Sequence, residues 1–377
     1  MVLFYLFVFL VMIQCAYALY FFIRVFWLPS AAHLLVKDRQ PVSIIICAKN
    51  EAANLKENLP SILSQRYSNG SDSGGDGALY EVIVVNDASN DNTAHILMEM
   101  EQWYGNLWDV VILPDAKRAL QGKKHALSKG VEAASYDWLV FIDADCVPAS
   151  HDWLEKMVAP LAKGKQIVAG YGGYHQDEGL LNAFMQWETM HTFLQYSTYT
   201  LAGLPYMAVG RNMACTRQAF LQAARSPVWN ALPSGDDDLL VSIVGDKENT
   251  TIVSDPDAFT TTTAKTTWAE WRKQKQRHLS TGKYYKPAIK LLLGLFGASH
   301  AGLWLCFFAL LFFPHPLTAI IIMCVRCFIY WTIWAATASR LGSKNIIYFL
   351  PFFDIGWLVY NFAFFPYITH KDEKNWK

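Results

Sequence analysis

The stretch WLVFIDADCVP, residues 138–148, decides how the chain is read. The apolar run Trp138–Ile142 ends abruptly in Asp143-Ala144-Asp145. Such a run is the pattern of a short strand buried on both faces. It delivers two carboxylates at its carboxyl end, and side by side these repel unless a cation lies between them. Hard divalent cations such as Mg²⁺ take oxygen ligands, usually keep waters, and bind substrate phosphates as well. The pair therefore points to a phosphorylated substrate held through a metal.

Outward from this stretch the chain alternates strand and helix. VSIIIC at 42–47 reads as a first strand, EVIVV at 81–85 as a second, and residues 110–113 as a third. A helix is expected through Leu55, Leu59, Ile62 and Leu63, with Asn50 as its N-cap, and another over 124–134. Residues 68–78, SNGSDSGGDGA, read as a surface insertion. The alternation predicts a doubly wound α/β sheet, whose ligands bind outside the carboxyl ends of the strands. Asp87, which follows the second strand, would then share one crevice with Asp143 and Asp145. A single carboxylate in such a place equally well caps the next helix, and Asp91 is assigned that role before a helix starting near Thr93.

Both ends of the chain are apolar. Of 377 residues, 53% are hydrophobic and 15% aromatic, and only 17% are charged. Ordinary globular chains carry about 25% charged residues. Lys plus Arg balances Asp plus Glu at 32 each, which excludes a nucleic-acid partner recruited by net charge. Between Met1 and Trp27 the only charge is Arg24, and about 20 apolar residues suffice to cross a bilayer. A cleaved signal peptide is the rival reading, with Ala16-Tyr17-Ala18 as a cleavage site. Against it, no basic residue precedes the run, which continues past Ala18. Arg24, Lys37 and Arg39 follow the span, so the positive-inside bias places the middle of the chain in the cytoplasm.

Three more spans are expected at 291–313, 317–339 and 346–368, with the hairpin Pro314-His315-Pro316 between the first two of them. Four spans return the tail HKDEKNWK to the starting side, and its three lysines speak against that topology. Arg326 and Asp354 both fall roughly 12–14 Å into their spans at a rise of ~1.5 Å per residue. Charges at that depth are costly, so the two are expected to approach each other or to share a lipid headgroup or water; His300 is read as a packing or interfacial residue. The seven cysteines are scattered, and no disulfide is expected in a reducing compartment. Cys324 and Cys327 form a CxxC inside a span and read as packing residues. Residues 265–290 hold eight basic residues against Glu270, interleaved with Trp268, Trp271, Tyr284 and Tyr285. This is the composition of an interfacial helix on an anionic leaflet, with a solvated basic face as the rival. GDDDLL at 235–240 on its own reads as an acidic turn opening a helix at Leu239.

The ordered set AKNEAANL, VVNDASNDNT, GKKHALSKG, FIDADCVP, VGRNMA, GDDDL and QKQRH resembles the membrane-embedded family 2 glycosyltransferases, similar to hyaluronan, chitin and cellulose synthases and ceramide glucosyltransferases. The resemblance runs from about Pro41 to His278 and implies a GT-A nucleotide-sugar-binding domain flanked by transmembrane helices. It divides the chain into an anchor at 1–29, a catalytic domain at 36–264, the interfacial segment at 265–290 and three spans at 291–368. It implies a metal-dependent inverting transferase acting on a nucleotide sugar, with a lipid or lipid-linked acceptor and Mg²⁺ or Mn²⁺ as cofactor. Ala48, Glu51, Asp87, Lys123, Asp143, Gln274 and Arg277 match donor-binding positions, although the commoner Asp-Asp pair is Asn86-Asp87 here. Asp145 matches the direct metal ligand, with Asp143 beside it. Aligning GDDDLL with the GDDRHL form selects Asp237 as the base, with Asp236 second. Gly210, Arg211 and Asn212 match the segment flooring the acceptor site. His278 stands where the family's QxxRW motif has tryptophan, which weakens a processive-synthase reading. A catalytically inactive sugar-nucleotide-binding scaffold is the alternative from another class.

Overall fold

β-branched runs form the strands, and the chain switches to helix wherever the apolar period lengthens. The computed structural model describes residues 1–29, 39–68, 78–112, 122–230, 232, 235–313 and 316–369. The chain opens with α1 (Val2–Tyr20), extended by a 3-10 turn over Phe22–Trp27. Then come β1 (Val42–Ala48), α2 (Ala52–Leu63), β2 (Tyr80–Asp87), α3 (Thr93–Glu101), β3 (Leu107–Ile112), α4 (Lys123–Ala133) and β4 (Trp138–Phe141). Next are β5 (Cys146–Pro148), α5 (Trp153–Val158), β6 (Ile167–Ala169), β7 (Gly172–Tyr174), the long α6 (Leu180–Leu201) and β8 (Met213–Thr216). Three short helices follow, α7 (Arg217–Ala224), α8 (Pro227–Asn230) and α9 (Asp236–Val244), before β9 (Thr250–Ile252) and β10 (Thr260–Thr262). The chain closes with α10 (Trp268–Leu279), α11 (Pro287–Leu310), α12 (Pro316–Arg340) and α13 (Leu350–Thr369). The expected insertion at 68–78, the turn at 314–316, Lys37, Leu113 and the tail from 370 lie wholly or partly outside the described residues. An isolated antiparallel bridge joins Ser68 to Ala78 at the base of that insertion.

Two compact units emerge. The first is α/β, formed from residues 29–175 and 205–264. Its main sheet has the order β3-β2-β1-β4-β8-β6-β9. β1 lies between β2 and β4 and runs parallel to both. The chain winds outward from β1 to β2 and β3, then returns to β4 on the other side. Ligands collect at this kind of reversal, beyond the carboxyl ends of the strands. β8 pairs antiparallel with both β4 and β6, so the doubly wound sheet is mixed. Every residue of β1 and β2 is buried, as a two-sided strand requires. Leu55, Leu59 and Ile62 of α2 pack on one side with Trp153, Leu154 and Met157 of α5.

α3 begins at Thr93 as expected, but the start of α2 differs from the expected one. Asn50 does not cap α2: it takes a left-handed φ of +57°, and its Oδ1 accepts the N–H of Asn90 at 2.9 Å. Asp91 reaches both neighbouring helix starts instead, accepting from Ala52 N–H at 3.2 Å and from Thr93 N–H at 3.0 Å. The loops after β1 and β2 are thus tied to each other, a pairing that local sequence does not encode.

The second unit is helical and gathers residues 1–28, 176–204 and the chain from 265 onward. The boundary at 36–264 does not separate α6, which the structure groups with the helices. Its 22 residues carry Gln186, Glu188 and His191 among the apolar ones and are buried nearly all round, so no span-length apolar run marks it. Four segments are long and apolar enough to cross a membrane: Val2–Trp27, Pro287–Leu310, Pro316–Arg340 and Lys344–Phe364. The last begins as a 3-10 turn over Lys344–Phe349, and the α-helix starts later than expected, at Leu350. Pro351 falls in the first turn of that helix, where proline is readily tolerated.

Inside this unit Arg326 and Asp354 form the expected ion pair, both wholly buried. His300 is no mere packing residue: its Nε2 lies 2.9 Å from Asp354 Oδ1. Trp331 Nε1 donates to the other oxygen of Asp354 at 3.2 Å. Arg326 also donates to Gln14 Oε1 at 3.2 Å, and Gln14 Nε2 donates to Ser299 Oγ at 2.8 Å. All four apolar segments contribute to this network. On α10, Trp271 turns inward among Phe184, Tyr360 and Phe364, and Lys275 is buried in an ion pair with Glu188. Part of the basic, aromatic pattern of 265–290 therefore docks α10 within the unit, while Trp268 remains half exposed. All seven cysteines are free thiols, and Cys327 packs in the apolar core of the helices.

Candidate active site

The carboxyl ends of the central strands set the geometry. β1 ends at buried Cys47 and Ala48, with Ala48 paired in register to Asn86, and β2 ends at buried Asp87. Glu51 follows as the residue before α2, its Oε2 accepting from Asn54 Nδ2 at 2.5 Å. Gly122 takes a φ of +63°, which glycine adopts without strain, and turns the chain so that Lys123 opens α4. The loop after β4 presents Asp143 and Asp145, and Asn58 Nδ2 pins it by donating to Ala144 O at 3.1 Å.

Lys123 draws the carboxylates together. Its Nζ lies 2.5 Å from Asp143 Oδ1 and 3.8 Å from Asp236 Oδ2. Burial disfavours its charge, but Asp143 and then Asp236 outweigh that and hold its pKa well above the ordinary lysine value. The Cys47 thiol reports the same convergence. Burial pushes it up to about 12, and it senses Lys123, Asp236, Asp143 and Asp87 together.

Asp236, Asp237 and Asp238 form the first turn of α9, behind Gly235 at a φ of +75°. Asp238 lies inside the turn and is buried. Asp237 Oδ2 accepts the N–H of Gly210 at 2.6 Å, and Oδ1 accepts the N–H of Asp238 at 2.9 Å. A Cβ on Gly210 would meet Asp237 Oδ2 at 3.3 Å, so glycine permits this approach. Burial, and after it the charge of Asp236, raises the Asp237 carboxyl to about 6, against the two N–H donors and Lys123. Its pKa is thus raised by being half sheltered next to a second carboxylate.

Around Gly210 the structure separates two roles. Asn212 is wholly buried and its amide is spent inward: Nδ2 donates to Tyr171 O at 2.7 Å and Ala258 O at 2.8 Å, and Oδ1 accepts from Trp153 Nε1 at 2.9 Å. It ties its loop to Tyr171, Ala258 and Trp153. Arg211 lays its guanidinium 4.9 Å from the Tyr174 ring, and its buried Nε has no hydrogen-bond partner among the described residues. A Cβ on Gly172 would sit 2.7 Å from the Arg211 side chain, so glycine leaves space for it. Gln274, Arg277 and His278 lie on α10 of the helical unit and are not among the residues the α/β unit brings together.

Among the described residues, Asp143, Asp145 and Cys146 bring ligand-capable atoms within 4.8 Å of one another. Cys146 fits a hard cation poorly. Its thiol is buried, and burial together with Asp145 and Asp143 holds its pKa well above the ordinary value, so no thiolate is on offer. The usable donors are carboxylate oxygens, a set that suits Mg²⁺ or Mn²⁺ with substrate phosphate and water completing the shell. Lys123 already engages Asp143, which leaves Asp145 the more open ligand.

Lys124, Cys47, Cys146 and Asn58 carry no expected functional role in the sequence. Lys124 stands next to the motif lysine and gives no signal of its own; the others look like ordinary strand and helix residues.

Comparison with known proteins agrees with this geometry. The chain matches the models for "Glycosyl transferase family 2" over residues 43–221 and "Glycosyl transferase family group 2" over residues 138–342, the second spanning more than half of the chain. It is 34% identical over 130 residues to glycosyltransferase AglE of Haloferax volcanii, a match covering 34% of this chain and 38% of that protein. It is 32% identical over 132 residues to a poly-beta-1,6-N-acetyl-D-glucosamine synthase of Staphylococcus epidermidis, covering 34% of this chain and 28% of that one. The matches thus span well under half the length of these relatives. In fold it resembles the mannosyltransferase PcManGT from Pyrobaculum calidifontis, solved with GDP-Man and Mn²⁺, at a TM-score of 0.54 and 16% identity over 92% of this chain and 98% of that one. From the strand-end carboxylates to the family match that contains them, the chain belongs to the family 2 glycosyltransferases.

Proposed function

We propose that the protein is a membrane-bound, metal-dependent inverting glycosyltransferase. It moves a sugar from a UDP-sugar to a lipid or lipid-linked acceptor, with its catalytic unit in the cytoplasm. The observation that carries this reading is the gathering of Lys123, Asp143, Asp236 and Asp237 at the carboxyl ends of the strands, with Asp145 beside them.

Asp87 and the ends of β1 and β2 take the nucleoside, and Lys123 faces the diphosphate. Asp145 and Asp143 would hold Mg²⁺ or Mn²⁺, which would supply positive charge to a leaving diphosphate. Asp237 accepts the proton of the acceptor hydroxyl as that oxygen bonds to the anomeric carbon and the bond from that carbon to the diphosphate oxygen breaks. A carboxyl raised to about 6 is ionised at neutral pH yet more basic than an ordinary aspartate, as a general base should be. The Gly210 N–H fixes its orientation. Arg24, Lys37 and Arg39 after the first apolar segment support the cytoplasmic placement.

Membranes carrying the full chain, incubated with a panel of radiolabelled UDP- and GDP-sugars and Mn²⁺, test the reading. Label should enter the lipid extract from a UDP-sugar and be lost with excess chelator. Undiminished transfer in chelator overturns the metal assignment, and nucleotide-sugar binding with neither transfer nor hydrolysis favours an inactive scaffold. Similarity to a polysaccharide synthase supports a second reading, a processive synthase; label in long, lipid-free chains would favour it. His278 in place of tryptophan favours single transfer.

A further inference from the structure

Lys124 follows Lys123 on α4 but points elsewhere. It is 1% exposed, and its Nζ donates to two backbone carbonyls, Trp229 O at 2.6 Å and Leu232 O at 2.9 Å. The same ammonium lies 4.9 Å from the centroid of the Trp229 ring. Taking an ammonium out of water is costly unless it is compensated, and an apolar side chain would fill the space without that cost. Here the compensation comes from backbone oxygens and an aromatic face rather than from a contacting carboxylate.

The carbonyls it holds are well placed. Trp229 belongs to α8, and Leu232 stands four positions before Asp236. The start of α9 has no side-chain cap, and Gly235 enters it in the left-handed region. Lys124 thus ties α4 to Trp229 of α8 and to Leu232, two residues that precede α9 in the chain. Adjacent lysines divide the work: Lys123 meets the carboxylates of Asp143 and Asp236, and Lys124 meets the backbone that leads to α9.

We propose that Lys124 is a positioning residue, an ammonium clamp on Trp229 and Leu232 that sets where Asp237 stands. The proposal rests on the reading of Asp237 as the base. Burial lowers the Lys124 pKa to about 8, with Asp236 and Asp237 resisting, so the clamp is charged at neutral pH.

The test uses the full chain in nanodiscs, with whichever UDP- or GDP-sugar gives the fastest release of nucleoside diphosphate. Lys124→Met keeps the apolar stem and removes the donors. Its kcat should fall about 10- to 100-fold, since small displacements of a catalytic group cost that much, while donor KM stays within about threefold. Amide exchange in residues 235–240 should quicken. Lys124→Arg, which can donate to both carbonyls, should restore most of the kcat. A kcat within about twofold of wild type in Lys124→Met, or unchanged exchange, overturns the clamp. So does parallel loss of kcat and donor binding that arginine fails to rescue, because that marks a merely structural lysine. If the methionine variant does not fold, Lys124→Gln, with one amide donor group, carries the test. Intermediate kcat with faster exchange supports the clamp, and wild-type behaviour overturns it. Full turnover in Asp237→Asn would instead overturn the base assignment and leave the exchange result standing.

Discussion

Both units gather charge away from bulk water, but they finish the job differently. In the helical unit Asp354 is met by Arg326, His300 and Trp331, Gln14 and Ser299 extend the chain of partners, and Arg326 and Asp354 are wholly buried. In the α/β unit Lys123 serves two carboxylates at unequal distances, Asp237 leans on two backbone N–H groups, and Asp145 remains partly exposed beside Asp143. The first cluster is closed, with its charge balanced by protein. The second carries an excess of carboxylate and stays open, which suits a cation and a phosphorylated ligand that come and go. The same residue types give a buried ion-pair network in one place and, on the proposed reading, a reactive site in the other, and the difference lies in how far their charges are balanced within the protein.

Removing Asp145 should break the comparison most severely. Asp145→Asn in the full chain should abolish Mn²⁺-dependent transfer and leave Mn²⁺ unable to tighten nucleotide binding, read by calorimetry with UDP with and without the metal. Wild-type transfer would show that the open cluster is not a metal site. In the closed cluster, Arg326→Met strands a buried carboxylate and should cost ~3–5 kcal/mol of stability. Thermal unfolding in nanodiscs checks this, and the double variant with Asp354→Leu should recover much of the loss. Turnover per folded molecule should change little, because the network is structural.

A gentler probe is pH. Asp237 titrates at about 6, and the base must be ionised, so kcat should fall below about pH 6, approaching tenfold per unit. The sign for stability is opposite. A carboxyl whose pKa is raised on folding stabilises the folded state when protonated, and that contribution disappears as pH rises from the ordinary carboxyl value through about 6. Asp237→Asn should flatten this part of the stability profile, which denaturant titrations between pH 4 and 7 would show.

Much of this was legible in the chain. The apolar runs before Ala48, Asp87 and Asp143 marked the central strands and the carboxylates at their ends, and the depth of Arg326 and Asp354 foretold their pairing. What escaped depends on contacts distant in sequence. Asn50 looks like a cap, but the Asn90 loop claims its side chain, and Asp91 caps across from the next loop. His300 had no visible partner because Asp354 is 54 positions away. α6 mixes Glu188 and His191 into a helix buried on all sides and so shows neither a span nor an amphipathic face. β8 runs antiparallel, a reversal that no local pattern in Met213–Thr216 records.

The three consecutive aspartates of α9 offer the most direct measurement. Asp237→Asn, Asp236→Asn and Asp238→Asn are compared in the purified full chain for donor affinity and for turnover at saturating donor. If the open cluster is the catalytic site and Asp237 its base, Asp237→Asn binds donor normally and loses about two to four decades of turnover. Asp236→Asn loses less, and buried Asp238→Asn affects mainly stability. Near-normal turnover in Asp237→Asn with a dead Asp236→Asn would move the base by one residue, and normal turnover in all three would contradict the site itself.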